Sequence, residues 1–215
     1  MRRLNTGSNL SRHFQESMWL YIVSLLCLFT GIVLGIYTVR YMDDLQRQDL
    51  ISYFLDFNKN ISTMEVKNTA VIIESLKNNL PMLLVLWVAG LTIIGIPIIL
   101  IVDIVKGFFF GFATTFAFYS MGYKGTWFVL LGVLPQNIIY IPCLIVASVL
   151  AMRLSFSKLK DRVNKQINYN KNYFLDYSVT FFIILLVMIL GFLYEAYVTP
   201  RAIQTIATAA GSVIF

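Results

Sequence analysis

Five long apolar stretches separated by polar segments frame this 215-residue chain. They fall at about 19–39, 81–102, 104–121, 127–152 and 177–198. A bilayer span needs about 20 mostly apolar residues. The pattern therefore predicts an all-α fold: a polytopic integral membrane helix bundle with about five transmembrane helices, forming one membrane domain over 1–215. Between the first two stretches lies a polar segment, 40–79, in which acidic and basic residues alternate. Ser62 followed by Glu65 reads there as a capping box before a short helix over about 63–78. A second polar segment, 153–176, is basic and rich in asparagine. Residues 201–215 are weakly apolar and too short to span, and are expected to form a surface or re-entrant helix.

Punctuation inside the spans refines this outline. Gly31 and Gly35 in the first stretch, and Gly107 and Gly111 in the third, are spaced for close helix approach. The first pair is a packing face that leaves room for a homo-oligomer without requiring one. Pro81 fits a helix start. Pro97, two residues after Gly95, predicts a kink near 93–97. The fourth stretch is the least regular. Pro135, Gln136 and Asn137 stand in succession, followed by Tyr140 and Pro142. Each proline removes a backbone donor and crowds the preceding turn. The carbonyls so freed need partners that lipid cannot offer. Gln136 and Asn137 are therefore expected to face other helices or a wet pocket. They either glue two helices or mark a functional surface.

Composition agrees with the pattern. The chain is 58% hydrophobic and 13% charged, with mean hydropathy +0.74. Soluble domains carry about 25% charged residues. No cleavable signal peptide is expected, because the first stretch is too long and lacks Ala-x-Ala spacing after it. Lys and Arg mark the cytoplasmic side of membrane proteins. With the amino terminus inside, the inner segments hold ten Lys and Arg and a net charge of +6. The outer segments hold seven and a net charge of 0. This predicts a cytoplasmic amino terminus, an extracytoplasmic 40–79 loop, a cytoplasmic 153–176 loop and an extracytoplasmic carboxyl terminus. One-sided positive charge also accounts for the basic balance without nucleic acid.

Candidate chemistry is sparse. His13 is the single histidine, and Cys27 and Cys143 lie in apolar runs. No P-loop, His-Glu-x-x-His or Gly-x-Ser-x-Gly is present. No catalytic, cofactor or metal residues are assigned, and no enzyme activity is expected. Asp103 and Lys106, three residues apart, read as an ion pair at a membrane boundary. Glu195, near the end of the fifth stretch, reads as a polar site.

The nonapeptide Leu134-Pro135-Gln136-Asn137-Ile138-Ile139-Tyr140-Ile141-Pro142 resembles the signature of the stage II sporulation protein M family. The span order, the long polar loop after the first span, the aromatic third span and the ending Tyr194-Glu195-Ala196-Tyr197-Val198-Thr199-Pro200 are also similar. The resemblance implies a multi-pass cell-membrane scaffold, on the mother-cell side of the sporulation septum, acting in forespore engulfment. It further implies two peptidoglycan-degrading partners, the stage II sporulation proteins D and P. A permease-like subunit of a transporter is the alternative, with the bent second and fourth helices lining a path.

Overall fold

The computed structural model describes residues 6–52, 68–163, 171–197 and Thr199. The described residues are almost entirely helical, with no strand among them. The helices are α1 (Thr6–Arg40), α2 (44–52), α3 (Asn68–Leu91), α4 (Gly95–Met121), α5 (Tyr123–Phe128), a π-helical segment (Val129–Val133), α6 (Leu134–Val163) and α7 (Lys171–Tyr197). Among the described residues, five helical stretches are long and apolar enough to cross a membrane: Met18–Arg40, Val71–Leu91, Gly95–Ser120, Gly125–Arg162 and Phe174–Tyr197. The capping box at Ser62 and Glu65 and the 201–215 segment lie outside the described residues.

The second and third spans differ from the sequence expectation. Residues 68–91 form one helix that runs through Pro81, which sits inside it rather than at its start. The bend expected near 93–97 is a complete break at Thr92–Ile94, and α4 begins at Gly95. Pro97 is then the third residue of α4, among the first four whose N–H groups have no partner within the helix. The border between the spans thus moves from residue 103 to residues 92–94. Helix α6 runs on to Val163, so the first part of the expected 153–176 loop is helical.

The break is stitched from within and from α6. The Thr92 N–H and its Oγ1 both donate to the Ala89 carbonyl, at 2.9 and 2.8 Å. Ser155 Oγ donates to Thr92 O at 2.8 Å, and Lys158 Nζ to Leu91 O at 2.8 Å. A cation at a helix C-terminus also meets the negative end of the helix dipole. Lys158→Met should therefore lower stability by about 1 kcal/mol. Thermal melts of the purified protein in detergent would measure it, with Lys160→Met as an exposed control.

Helix α1 lies against α4 and α6, and the four glycines at the α1–α4 crossing explain how closely. A Cβ on Gly31 would meet the Ile104 carbonyl, and one on Gly35 the Phe108 carbonyl. Reciprocally, a Cβ on Gly107 would meet Leu28 O, and one on Gly111 Ile32 O. The two glycine pairs singled out by spacing are thus two halves of one interface within the chain. The other face of α1 turns Trp19, Leu26 and Phe29 outward, each more than 60% exposed. In a bilayer that face meets acyl chains.

The remaining core joins α3, α6 and α7, with Leu86, Ala147, Val149, Ala151, Met188 and Phe192 all nearly inaccessible. Tyr177 on α7 reaches across to donate to Trp87 O of α3 at 3.0 Å. Helices α3, α4, α6 and α7 surround the polar site described next.

Candidate functional site

Two polar layers cross the interior of the bundle, and both involve α4. The first is centred on Asp103. It lies eight residues after Gly95, about 12 Å along the helix axis. Its exposure is 0%. Ser24 Oγ of α1 donates to its Oδ2 and Ser148 Oγ of α6 to its Oδ1, each at 2.6 Å. The three side chains tie α1, α4 and α6 together at one level. A carboxylate in the membrane is costly unless each oxygen finds a donor. Two lone serines in apolar runs supply them here.

The second layer is a recess of about 330 Å³ between α3, α4, α6 and α7. Lys106 of α4 lies about 16 Å along the axis from Gly95, near the middle of its span. Its Nζ donates to Asn79 Oδ1 of α3 at 2.9 Å and stands 5.5 Å from the centre of the Tyr140 ring. Asn79 in turn donates to the Ser75 carbonyl at 2.9 Å. Tyr140 of α6 donates its hydroxyl to Glu195 Oε2 of α7 at 2.8 Å. Gly191, one turn before Glu195, makes this reach possible. A Cβ there would collide with the Tyr140 ring. Phe109 and Phe110 supply apolar walls.

Asp103 and Lys106 are therefore not a boundary ion pair. The border between spans lies elsewhere, so both sit inside the membrane-spanning part of α4. Each also takes another partner: Asp103 the two serine hydroxyls, Lys106 the Asn79 amide. Intramembrane ionisable groups that face a bundle interior mark functional sites by default.

The motif on α6 is set by the π segment before it. The N–H of Leu134 bonds Val129 O, five residues back, and the wide turn leads into Pro135. Segments of this kind occur often at functional sites. Asn137 Nδ2 donates to Val133 O at 2.7 Å. Gln136 Oε1 is buried without a hydrogen-bond partner among the described residues. Both amides line the recess, together with Tyr140, whereas Pro142 lies further along α6, exposed, with the helix continuing through it. The recess thus unites Gln136, Asn137, Tyr140, Lys106 and Glu195 from the candidate residues, and separates Asp103 from them.

Asn79, Gly191, Ser24 and Ser148 were not singled out by the sequence. The serines carry a weak signal, as lone hydroxyls in apolar runs. Asn79 carries none, because it reads as the end of a polar loop.

Tyr140→Phe should lower stability by about 1.5 kcal/mol, since it removes the hydrogen bond to a carboxylate inside the bundle. Thermal melts of the single variants and of the double variant with Glu195→Ala would show the coupling. Additive effects would rule out the bond.

No curated protein and no solved structure matches the chain. The family model for stage II sporulation protein M matches residues 24–200. That match runs from within α1 to just beyond α7, and so takes in both polar layers. The chain belongs to the stage II sporulation protein M family, and is a sporulation-related membrane protein with, among the described residues, five helices long and apolar enough to cross a bilayer.

Proposed function

We propose that this protein is a membrane scaffold of the engulfment complex, without catalysis of its own. It positions peptidoglycan-degrading partners, the stage II sporulation proteins D and P, at the sporulation septum from the mother-cell side. The observation that carries this reading is the family match over 24–200, along all five spans. The proposed orientation has the amino terminus in the cytoplasm and the carboxyl terminus outside. Charge supports it. Asp103 and Lys106 fall within a helix long and apolar enough to span, which removes one charge of each sign from the inner count. The net inner excess stays as it was.

The test is co-purification from sporulating cells, combined with deletion. Both hydrolases should be retained on the tagged protein, and a deletion strain should stop before the mother-cell membrane advances around the forespore. Normal engulfment in the deletion strain would end the scaffold reading.

A permease-like subunit is the second reading, and the recess between α3, α4, α6 and α7 favours it. A solute flux that depends on Lys106 or Glu195, measured in vesicles, would support that reading instead.

A further inference from the structure

The recess has a chemistry that its own residues do not complete. Lys106 offers a cation that, among the described residues, makes one hydrogen bond, to Asn79, and stands over the Tyr140 ring, with two N–H donors left for a ligand. Glu195 accepts from Tyr140 and faces Lys106 from the other wall. Gln136 lines the recess, and its amide oxygen is buried with no donor among the described residues. A buried acceptor left in this state costs about 1–3 kcal/mol. Native proteins keep few such groups, and each calls for an explanation.

These groups select a ligand by exclusion. A simple anion would satisfy Lys106 but sit against Glu195. A simple cation would meet the reverse conflict. An apolar molecule would leave Gln136 as it is. A compact zwitterion with N–H donors meets every demand, with its carboxylate on Lys106 and its ammonium or amide N–H groups on Gln136 and Glu195. The recess volume, about 330 Å³, falls at the small end of the range for small-molecule sites. Phe109, Phe110 and Tyr140 give it apolar walls for a short side chain.

We propose that the recess between α3, α4, α6 and α7 is a binding site for an α-amino acid or for a short peptide with free ends. Lys106 takes the carboxylate, and Gln136 with Glu195 takes the amino end. The two sources share this head-and-tail chemistry. The proposal stands on the recess alone, and the scaffold reading can fail without it.

The experiment uses the full chain in lipid nanodiscs, with binding read by isothermal titration. The probes are alanine, alanylalanine, the same dipeptide with its carboxyl amidated, the same dipeptide with its amine acetylated, and inorganic phosphate. Binding of alanine, of alanylalanine or of both supports the site, and the preference identifies the source. Capping either end should weaken binding at least tenfold. Lys106→Met should weaken the free dipeptide at least tenfold and abolish the discrimination between free and amidated carboxyl. Gln136→Leu should weaken binding of the free dipeptide without lowering the melting temperature, because it removes an acceptor that has no partner. That pairing of effects keeps the test sound if Lys106→Met fails to fold. The proposal is overturned if no probe binds at millimolar concentration, if phosphate binds as well as the dipeptide, or if the capped dipeptides bind as well as the free one. Unchanged binding by Gln136→Leu overturns it too.

Discussion

Replacing Gly107 by leucine is expected to release α1 from the bundle. At this crossing the obstacle to a side chain is the partner's backbone, the Leu28 carbonyl, rather than a side chain that can rotate away. Overpacking a well-filled interior costs about 1–3 kcal/mol when side chains can adjust. Here relief requires the helices to separate, so the loss should reach about 3 kcal/mol. Separation also pulls Ser24 away from Asp103, because α1 carries the serine one turn from Leu28. Titration with sodium dodecyl sulfate, followed by fluorescence, would measure the shift in unfolding. Val105→Leu, on an exposed part of the same helix, is the control and should be neutral. Equal unfolding of both variants would refute the crossing as described.

Asp103→Ala should have the next largest effect. Both serine hydroxyls lie 2.6 Å from the carboxylate, within the range of charge-assisted O–H···O bonds. Hydrogen bonds to charged groups contribute about 1.5–3 kcal/mol each. Those between helices in a membrane average nearer 0.6 kcal/mol, because the unfolded state in lipid finds partners too. Full burial and short geometry place this pair at the higher end, so about 3 kcal/mol is expected for the loss of both bonds. Ser24→Ala and Ser148→Ala should each lose about half, and should have little further effect in the Asp103→Ala background. The same detergent titration measures all of them. If the serine variants keep their full cost without Asp103, the bonds are not what holds this layer.

The five-span bundle was legible because lipid imposes long apolar runs that few soluble segments imitate. The border between the second and third spans was not. Residues 81–121 are almost continuously apolar, and Asp103 and Lys106 interrupt them. Charges in such a run look like a boundary, yet here they have partners on other helices. The better signal was Gly95 with Pro97, which suits the first turn of a helix. The start of α3 was hidden for the opposite reason. Glu74, Ser75, Lys77 and Asn78 read as a short helix of the polar segment and Asn79 as its end, yet Ser75 and Asn79 are buried in the bundle and the span begins before them.

The site was half legible. Pro135, Gln136, Asn137 and Tyr140 stand out in any apolar helix, and Glu195 stands out near the end of the last one. Which side chains meet across 27 or 55 residues of sequence, as Lys106 meets Asn79 and Tyr140 meets Glu195, depends on helix rotation. Spacing within one helix does not reveal that.

The widened turn at Val129–Val133 works as a phase shifter. The aromatic start of this span and the amide-bearing stretch after it follow different angular clocks, offset by one surplus residue. Excising a single amino acid there would leave composition and length almost untouched, yet would swing one half against the other by about 100°. The nonapeptide is in this sense addressed by the irregularity upstream of it, and a chain carrying it without that stutter would aim its amides at oil.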